Sequence, residues 1–192
     1  MEFEVRVEGR ERVVIDDMDL IERASLGDRD AFDQLVTLFG PRLHGYARRM
    51  LADEWNAQEV VQDSLLAAWL GLNSFRRDSS VRTWLFAICS RKIVDSYRLR
   101  LPIPVGDDSL NRNGHSTVGL PFPEVSSTVF VEAVEQCLAT LPPRQRAAWM
   151  LREVERMPFT EVGKVLGLAP GAARGHYVRA REQLRKSMEA WR

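Results

Sequence analysis

The sequence has few of the residues that build disulfides and metal centres. Its 192 residues include two cysteines, Cys89 and Cys137, and three histidines. The cysteines lie far apart without a CxxC spacing, and no histidine lies near either of them at the spacing of metal ligands. We therefore expect two reduced and at least partly buried thiols, no metal site and no cofactor.

Long apolar runs are also missing. No uninterrupted apolar stretch approaches the roughly 18 residues that a membrane-spanning helix needs. The first residues, MEFEVRVEGRERVV, mix acidic and apolar side chains, whereas a signal peptide places basic residues before an apolar segment. These features predict a cytoplasmic protein.

Enzyme motifs are scarce as well. The sequence contains no glycine-rich phosphate loop, no nucleophile elbow and no histidine, cysteine and aspartate cluster with metal-ligand spacing. A nuclease or another DNA-modifying enzyme is therefore disfavoured. We expect a protein that is not itself an enzyme and has no small-molecule substrate.

A net charge is absent, although charged residues are not. The 27 basic side chains balance the 27 acidic ones. Acidic residues dominate 1–19, with seven acids against three arginines, and basic residues dominate 76–100 and 171–192. Two basic segments inside a neutral total are compatible with nucleic-acid binding at two places.

The pattern of apolar residues predicts an all-α protein. From Asp19 to about Arg100, apolar residues recur at helical spacing with polar residues between them. Gly40-Pro41 is expected to kink or break one of these helices, because proline lacks the backbone donor and crowds the preceding turn.

Capping signals locate the two helices that matter most for function. Asn56 followed by Glu59 has the pattern of a capping box and predicts a helix that runs to about Leu72. Ser79 or Ser80 is expected to cap the next helix, which runs to about Leu99.

The helical periodicity stops at about 101–127, where proline, glycine and asparagine accumulate. This composition is typical of a flexible linker, and about 27 residues exceed what a compact domain usually leaves as loop. Helical pattern then resumes in four segments, at about 128–139, 143–154, 159–166 and 170–191.

The sequence therefore predicts two small helical domains joined by a flexible linker, and we expect the domains to move independently. The predicted divisions are an acidic extension at 1–18, a first domain at 19–100, the linker at 101–127 and a second domain at 128–192. The extension is a candidate for electrostatic screening of a basic DNA-binding face, or else a mobile tail.

The last two segments have the pattern of a helix-turn-helix. An apolar stripe runs along 159–166, Gly167 turns the chain, and a second amphipathic helix starts near Pro170. In this motif the second helix enters the major groove, with early exposed residues at base edges and later basic residues at phosphates. Arg174 is the best candidate for a base contact, because its guanidinium can bond both acceptors of guanine. Arg179, Arg181 and Arg185 suit phosphates, and the last two also fit a solvated basic face.

The second domain resembles region four of bacterial sigma factors along its whole length. The resemblance includes Leu141-Pro142-Pro143 before a helix, Leu151-Arg152, Leu166-Gly167 and the closing Arg179-Ala180-Arg181. It implies contact with the polymerase flap. It also implies recognition of the minus-thirty-five promoter element by Ala172, Arg174, Gly175, His176, Arg179 and Arg181.

Two positions in this region depart from the family. Ala172-Ala173 stands where the family favours Thr-Val, and Gly175-His176 stands where it favours Ser-Arg. We therefore expect fewer groove contacts or an unusual promoter sequence.

Residues 56–69 resemble the region-two helix by which sigma factors bind the coiled coil of the largest polymerase subunit. The residues implied in this contact are Asp53, Glu59, Gln62, Asp63 and Leu66. Their carboxylates and amide suit a basic partner, while the apolar residues between them can face the bundle. Those apolar residues are Val60, Val61, Leu65 and Trp69. A capped surface helix with solvated acids is the structural alternative.

The next helix and the loop before it resemble the segment that melts and reads the minus-ten element. The residues implied in this contact are Phe75, Arg76, Arg77, Arg82, Trp84, Arg91, Lys92, Tyr97 and Arg98. Unpaired bases stack on rings and guanidinium groups, while cationic side chains hold phosphates. Trp84 and Phe86 also fit a hydrophobic core, and Leu85 and Ile88 are expected there. Cys89-Ser90 replaces the family's commoner Ala-Arg or Ala-Lys, so one phosphate contact is expected to be missing.

The chain has these two regions in the same order as the small extracytoplasmic-function (ECF, group 4) members of the sigma-70 family, which it resembles. The resemblance implies a dissociable specificity subunit of DNA-directed RNA polymerase, which directs promoter-specific transcription initiation. It implies core RNA polymerase and promoter DNA as partners, and control by an anti-sigma factor. A stand-alone helix-turn-helix transcriptional regulator is the alternative, but it leaves the first domain without a role, since no phosphoacceptor α/β pattern precedes the motif.

Overall fold

The computed structural model describes residues 16–51, 53–100 and 134–189. The first domain contains α1 (Asp17–Ser25), α2 (Arg29–Leu51), α3 (Glu54–Gly71) with a 3-10 turn at Leu72–Ser74, and α4 (Val81–Arg100). The second contains the helical residues 134–139 (α5), α6 (Pro143–Trp149) continued by a π turn at Met150–Val154, α7 (Phe159–Leu166) and α8 (Pro170–Glu189). The predicted all-α fold with two helical domains is confirmed.

Helix α2 supplies much of the first domain's core. Its buried side chains follow helical spacing and include Leu35, Phe39, Leu43 and Tyr46. Gly40-Pro41 was predicted to kink or break a helix; the break is wrong, because α2 continues through Pro41, and the kink stays a prediction. Phe39 and Leu43 are fully buried on either side of the proline, so core packing holds both turns and offsets a cost of about 3 kcal/mol.

The starts of α3 and α4 are set by side-chain caps. Helix α3 starts at Glu54, so the predicted start at Asn56 is wrong: the carboxylate of Asp53 accepts the backbone N–H of Asn56 at 3.4 Å. For α4 the prediction of Ser80 is confirmed, since its Oγ accepts the backbone N–H of Thr83 at 3.2 Å. Each cap satisfies a backbone donor that the helix leaves unpaired.

The helix-turn-helix has the bounds expected from the sequence. Gly167 ends α7 in the left-handed region at φ 65°, where glycine has no steric cost. Gly163 faces the same turn, and a Cβ there would lie 2.6 Å from the carbonyl oxygen of Leu168. The short connection between α7 and α8 therefore depends on both glycines.

Several predicted segments lie outside the described residues. They are the acidic extension up to residue 15, the linker 101–127, the first part of the segment predicted at 128–139, and residues 190–192.

The two domains contact each other in the structure. Helix α7 packs against α4, and α6 packs against the C-terminal half of α2, where Arg146 donates to the carbonyl oxygens of Arg49 and Met50. Independent movement of the two domains stays a prediction. Across the described helices, none combines the length and apolarity needed to cross a bilayer.

Candidate polymerase and promoter interfaces

The five residues predicted to bind the polymerase are all exposed. Four lie on one face of α3 and the fifth, Asp53, caps its start: Asp53, Glu59, Gln62, Asp63 and Leu66. The opposite face is buried in the bundle through Val60 and Val61, as predicted, and Leu65 and Trp69 pack partly buried against the core. The edge of Trp69 meets Phe32 at 5.0 Å between ring centroids. Helix α3 thus presents one free face and anchors the other.

Two residues of this free face were missed in the sequence. Trp55 and Leu70 are each 76% exposed, and Leu66 is 57% exposed. The spacing Trp55, Glu59, Gln62, Leu66, Leu70 follows steps of four, three, four and four residues, which keeps them on one side of a helix. That spacing was the available signal. We call these five residues, with Asp63, the outer face of α3.

The loop before α4 is held to the helix by an aromatic pair. The rings of Phe75 and Trp84 lie 5.1 Å apart, and both side chains are half-buried. Arg76 and Arg77 of the same loop are exposed, and Arg77 forms an ion pair with Glu22 of α1. The predicted specificity loop therefore places rings and cations side by side.

Most of the predicted minus-ten residues on α4 reach the surface. Arg91 and Arg98 are exposed, and Lys92 lies 3.4 Å from the carboxylate of Asp63 on α3. Tyr97 is half-buried, and its hydroxyl donates to the carbonyl oxygen of Met50. Lys92 thus lies between the outer face of α3 and the predicted DNA-binding side of α4.

The interior side of α4 is packed against α2. Leu85 and Phe86 are buried, and Ile88 packs partly buried against the same core. Ser90 is buried as well, with its Oγ 2.9 Å from the hydroxyl of Tyr46, whose pKa is raised by burial. Position 90 therefore faces the bundle.

Arg82 is the exception among the predicted minus-ten residues. It is 5% exposed and covered by the second domain. Its Nη1 donates to the carbonyl oxygen of Glu155 at 3.0 Å, and its Nη2 lies 3.6 Å from the carboxylate of Glu161. In this arrangement Arg82 faces protein.

A cavity of about 660 Å³ separates α4 from the second domain. Arg91, Tyr97 and Arg98 line it from α4, and Arg144 and Lys164 line it from the opposite side. Three predicted minus-ten residues thus face basic side chains of the second domain.

Helix α8 exposes most of the predicted minus-thirty-five residues. Ala172, Arg174, Arg179 and Arg181 are exposed, while Gly175 and His176 are half-buried. The guanidinium of Arg179 lies 3.3 Å from Nδ1 of His176 and within 3.5 Å of where a Cβ would be at Gly175. A methyl group at position 175 would make only an ordinary van der Waals contact with Arg179, which folds back over the helix.

Arg185 differs from the earlier cations of α8. It pairs with Glu182 at 2.9 Å and also with Glu189, both within the same helix. These pairs favour the interpretation of a solvated surface at this position.

Both cysteines are unpaired and buried, as expected. Burial raises the pKa of Cys89 to about 12 and raises that of Cys137 above its ordinary value. Within the part of the chain that the structure describes, no group of three or more metal-ligating side chains comes together.

Comparison with known proteins assigns the two domains. Residues 35–100 match the model of Sigma-70 region 2, and residues 131–184 match that of Sigma-70 region 4. The ECF RNA polymerase sigma factor SigM of Mycobacterium tuberculosis is 32% identical over 88% of this chain and 82% of its own length. The chain belongs to the extracytoplasmic-function group of the sigma-70 family. It is an RNA polymerase sigma factor, which directs promoter-specific transcription initiation. The alternative of a stand-alone regulator does not account for region 2.

Solved sigma factors share the fold. CnrH, a sigma factor of Cupriavidus metallidurans solved with the cytosolic domain of CnrY, aligns with a TM-score of 0.69 and 30% identity, covering 91% of this chain and 97% of that one. RpoE, solved with the anti-sigma factor NepR from Bartonella quintana, aligns with a TM-score of 0.65 and 23% identity over 84% and 98%. The likeness to RpoE, at 23% identity, shows a shared fold alone.

Proposed function

We propose that this sigma factor divides initiation among three surfaces. The outer face of α3 binds the coiled coil of the largest polymerase subunit. The loop 75–80 and α4 melt and read the minus-ten element, and α8 reads the minus-thirty-five element while its domain touches the flap. The observation that carries the proposal is the outer face of α3, where four of the five predicted polymerase contacts are exposed together with Trp55 and Leu70.

The composition of the outer face suits a protein partner. Trp55, Leu66 and Leu70 present large apolar surfaces to water, and a row of such side chains on a soluble domain is typical of an interaction site. Tryptophan at the centre of an interface often dominates the binding energy. The carboxylates of Glu59 and Asp63 beside these apolar groups favour a basic partner and fix its orientation.

The minus-ten surface suits an unpaired strand. Phe75 and Trp84 supply rings beside Arg76 and Arg77, so a flipped base can stack while cations hold the backbone. Stacking contributes about 1–3 kcal/mol per base, which is comparable with the cost of unstacking one. Binding of the open strand therefore drives melting without bond chemistry.

In this proposal the protein itself catalyses no reaction. Strand opening uses binding energy alone, and phosphodiester formation belongs to the core polymerase. The chain acts as a cytoplasmic, dissociable subunit that adds promoter specificity.

We also propose control by an anti-sigma factor. CnrH has been solved with CnrY, and RpoE with the anti-sigma factor NepR, so factors of this fold form complexes with regulatory proteins. A protein that covers the outer face of α3 would block polymerase binding.

The proposal is tested by promoter binding and transcription in the presence and absence of core polymerase. A gel shift with a promoter library is expected to show specific binding only when core polymerase is present, and run-off transcription should start at the selected promoters. Tight and specific promoter binding by the free protein would contradict the proposal and favour a stand-alone regulator.

A further inference from the structure

The side chain of Arg179 folds back along α8 toward the start of the helix. Its Nη2 lies 3.3 Å from Nδ1 of His176, three residues earlier. The guanidinium also lies over Gly175, because a Cβ there would be 3.5 Å from Nη1 and 3.9 Å from Nη2. Helical side chains lean toward the N-terminus, so residues three and four apart meet in this way. The charge of Arg179 is therefore displaced by about one helical turn.

This displacement changes which part of DNA Arg179 can contact in the proposed function. In a helix-turn-helix the early exposed residues of the second helix lie at base edges, and later basic residues lie at phosphates. From its own position in α8, Arg179 suits a phosphate. With its guanidinium beside Gly175 and His176, it lies next to the turn that exposes Arg174. The folded-back side chain thus reaches the part of α8 where base contacts are expected.

The contact between Arg179 and His176 requires a neutral imidazole. A guanidinium has donors but no acceptor, and it keeps its charge at every pH at which proteins are folded. Nδ1 of His176 must therefore accept the hydrogen bond, which leaves the ring proton on Nε2. Protonation of Nδ1 would replace the acceptor by a donor and place two positive charges side by side. Lysine or arginine at position 176 could not make this contact either.

The surroundings of His176 favour the neutral form. Burial lowers the pKa of the half-buried imidazole, and the positive charges of Arg179 on the same helix and Arg144 on α6 lower it further. Both of these neighbours repel a proton on the ring. The acceptor that Arg179 needs is therefore present at neutral pH and is lost in acid.

We propose that His176 is a positioning residue that holds the guanidinium of Arg179 at the base edges, where Arg179 reads a second guanine beside the contact of Arg174. Guanine is the expected base, because its N7 and O6 acceptors match the donor fork of an arginine. This inference rests on the proposed role of α8 in reading the minus-thirty-five element. It adds the residue that sets the recognition and makes the promoter preference of the holoenzyme depend on pH.

Replacement of single guanines by 7-deazaguanine in a selected promoter tests which base Arg179 reads. This base pairs normally with cytosine but lacks the N7 acceptor. At pH of about 7.5, wild-type holoenzyme should lose about fivefold in affinity when the guanine read by Arg179 is replaced. Arg179→Ala should bind the normal and the replaced promoter equally at this position, and only there. If every guanine has the same effect in Arg179→Ala as in the wild type, the proposal is overturned.

Two substitutions of His176 test the positioning. His176→Ala removes the acceptor, so the effect of 7-deazaguanine at the Arg179 position should fall to less than about twofold, while the effect at the Arg174 position stays. His176→Asn places its Oδ1 where Nδ1 lies and should keep the wild-type effect at both positions. Circular dichroism checks that helix content is kept in both variants.

The pH profile is a measurement that a merely structural role of His176 would not change. When the pH falls from about 7.5 to about 5, the wild type should lose most of the effect at the Arg179 position, because the protonated ring repels Arg179. His176→Asn does not titrate and should keep the effect at both pH values. His44→Asn is the matched control, since His44 lies on α2 of the first domain, 2.9 Å from the carboxylate of Glu54. It should follow the wild-type profile.

The same data separate this proposal from the one on which it rests. If His176→Ala keeps the wild-type effect, or if the wild type and His176→Asn change alike with pH, the role of His176 is wrong and the role of α8 stands. If the affinity of the holoenzyme does not depend on the sequence of the minus-thirty-five element, the proposed function of α8 is wrong as well.

Discussion

Arg174 is the side chain of α8 to which we assign base recognition. It is exposed early in the helix, where a guanidinium can form two hydrogen bonds to guanine. Arg174→Ala should weaken holoenzyme binding to its preferred promoter by about 1–3 kcal/mol and relax the preference at one base pair. Competition binding with promoters mutated one position at a time in the minus-thirty-five element measures both effects.

Arg185→Ala is the comparison for this prediction. Arg185 pairs with Glu182 and Glu189 within α8, so its loss should change affinity little and equally for all promoters. A uniform loss of affinity in Arg174→Ala, without any change in base preference, would assign Arg174 to the phosphate backbone instead.

His176 links stability to pH. Burial lowers the pKa of His176, and the positive charges of Arg179 and Arg144 lower it further. The folded protein therefore holds this proton less tightly than the unfolded chain, which takes up the proton first as the pH falls through about 6.5. The contribution of His176 should lower the free energy of unfolding between about pH 7.5 and 5.5, and only modestly, because solvent screens a half-buried group.

Urea unfolding of the wild type and His176→Gln at both pH values measures this contribution. The glutamine variant should lose less stability on acidification than the wild type. An identical loss in both proteins would show that His176 does not contribute to the pH dependence.

For single residues, the sequence predicts burial and exposure well where the residue lies on a regular helix face. Val60, Val61 and Leu85 are buried and Glu59, Gln62 and Leu66 exposed, as periodicity indicates. Arg82 is the failure, because its burial comes from Glu155 and Glu161, more than seventy residues later in the chain. The helical periodicity of one segment does not predict which of its residues a second domain will bury.

Ser80 sets the start of α4, the helix that carries most of the proposed minus-ten surface. Its Oγ accepts the N–H of Thr83, which is one of the donors left unpaired in the first turn. Ser80→Ala should lower the free energy of unfolding by about 1 kcal/mol, as measured by chemical denaturation. Ser79→Ala is the control and should stay within about 0.5 kcal/mol of wild type. Equal effects of the two substitutions would mean that the hydroxyl of Ser80 does not cap the helix.

Element types were easier to predict than the continuity and starts of the helices. The bounds of α7 and the start of α8 follow from Gly167 and Pro170 in the sequence. Pro41 did not break α2, since buried neighbours on both sides hold the helix through the missing hydrogen bond. The start of α3 was placed at Asn56 because Asn56 and Glu59 resemble a capping box, whereas Asp53 is the residue that caps. Local signals compete, and tertiary packing decides between them.

For the whole molecule, the contact between the two domains leaves one proposed surface exposed and covers part of the other. The outer face of α3 keeps Trp55 and Leu70 largely exposed, while Arg82 on α4 is covered by region 4. The proposed polymerase surface is therefore accessible in this arrangement, whereas Arg82 is not.

Trp55 provides the test of the proposed polymerase surface. Trp55→Ala should weaken binding to core polymerase by about 2 kcal/mol or more, because an exposed tryptophan at an interface commonly anchors it. The free energy of unfolding should stay nearly unchanged, since the side chain is 76% exposed in the free protein. Fluorescence titration with core polymerase and chemical denaturation measure the two quantities.

Leu26→Ala is the matched control, because Leu26 is a large apolar residue that is 88% exposed but lies beyond the end of α1. It should leave polymerase affinity unchanged if the outer face of α3 is the specific site. Equal losses in the two variants would indicate that exposed apolar surface contributes without regard to position. Loss of affinity in Trp55→Ala alone would place the polymerase on α3, on a surface that the contact between the two domains leaves accessible.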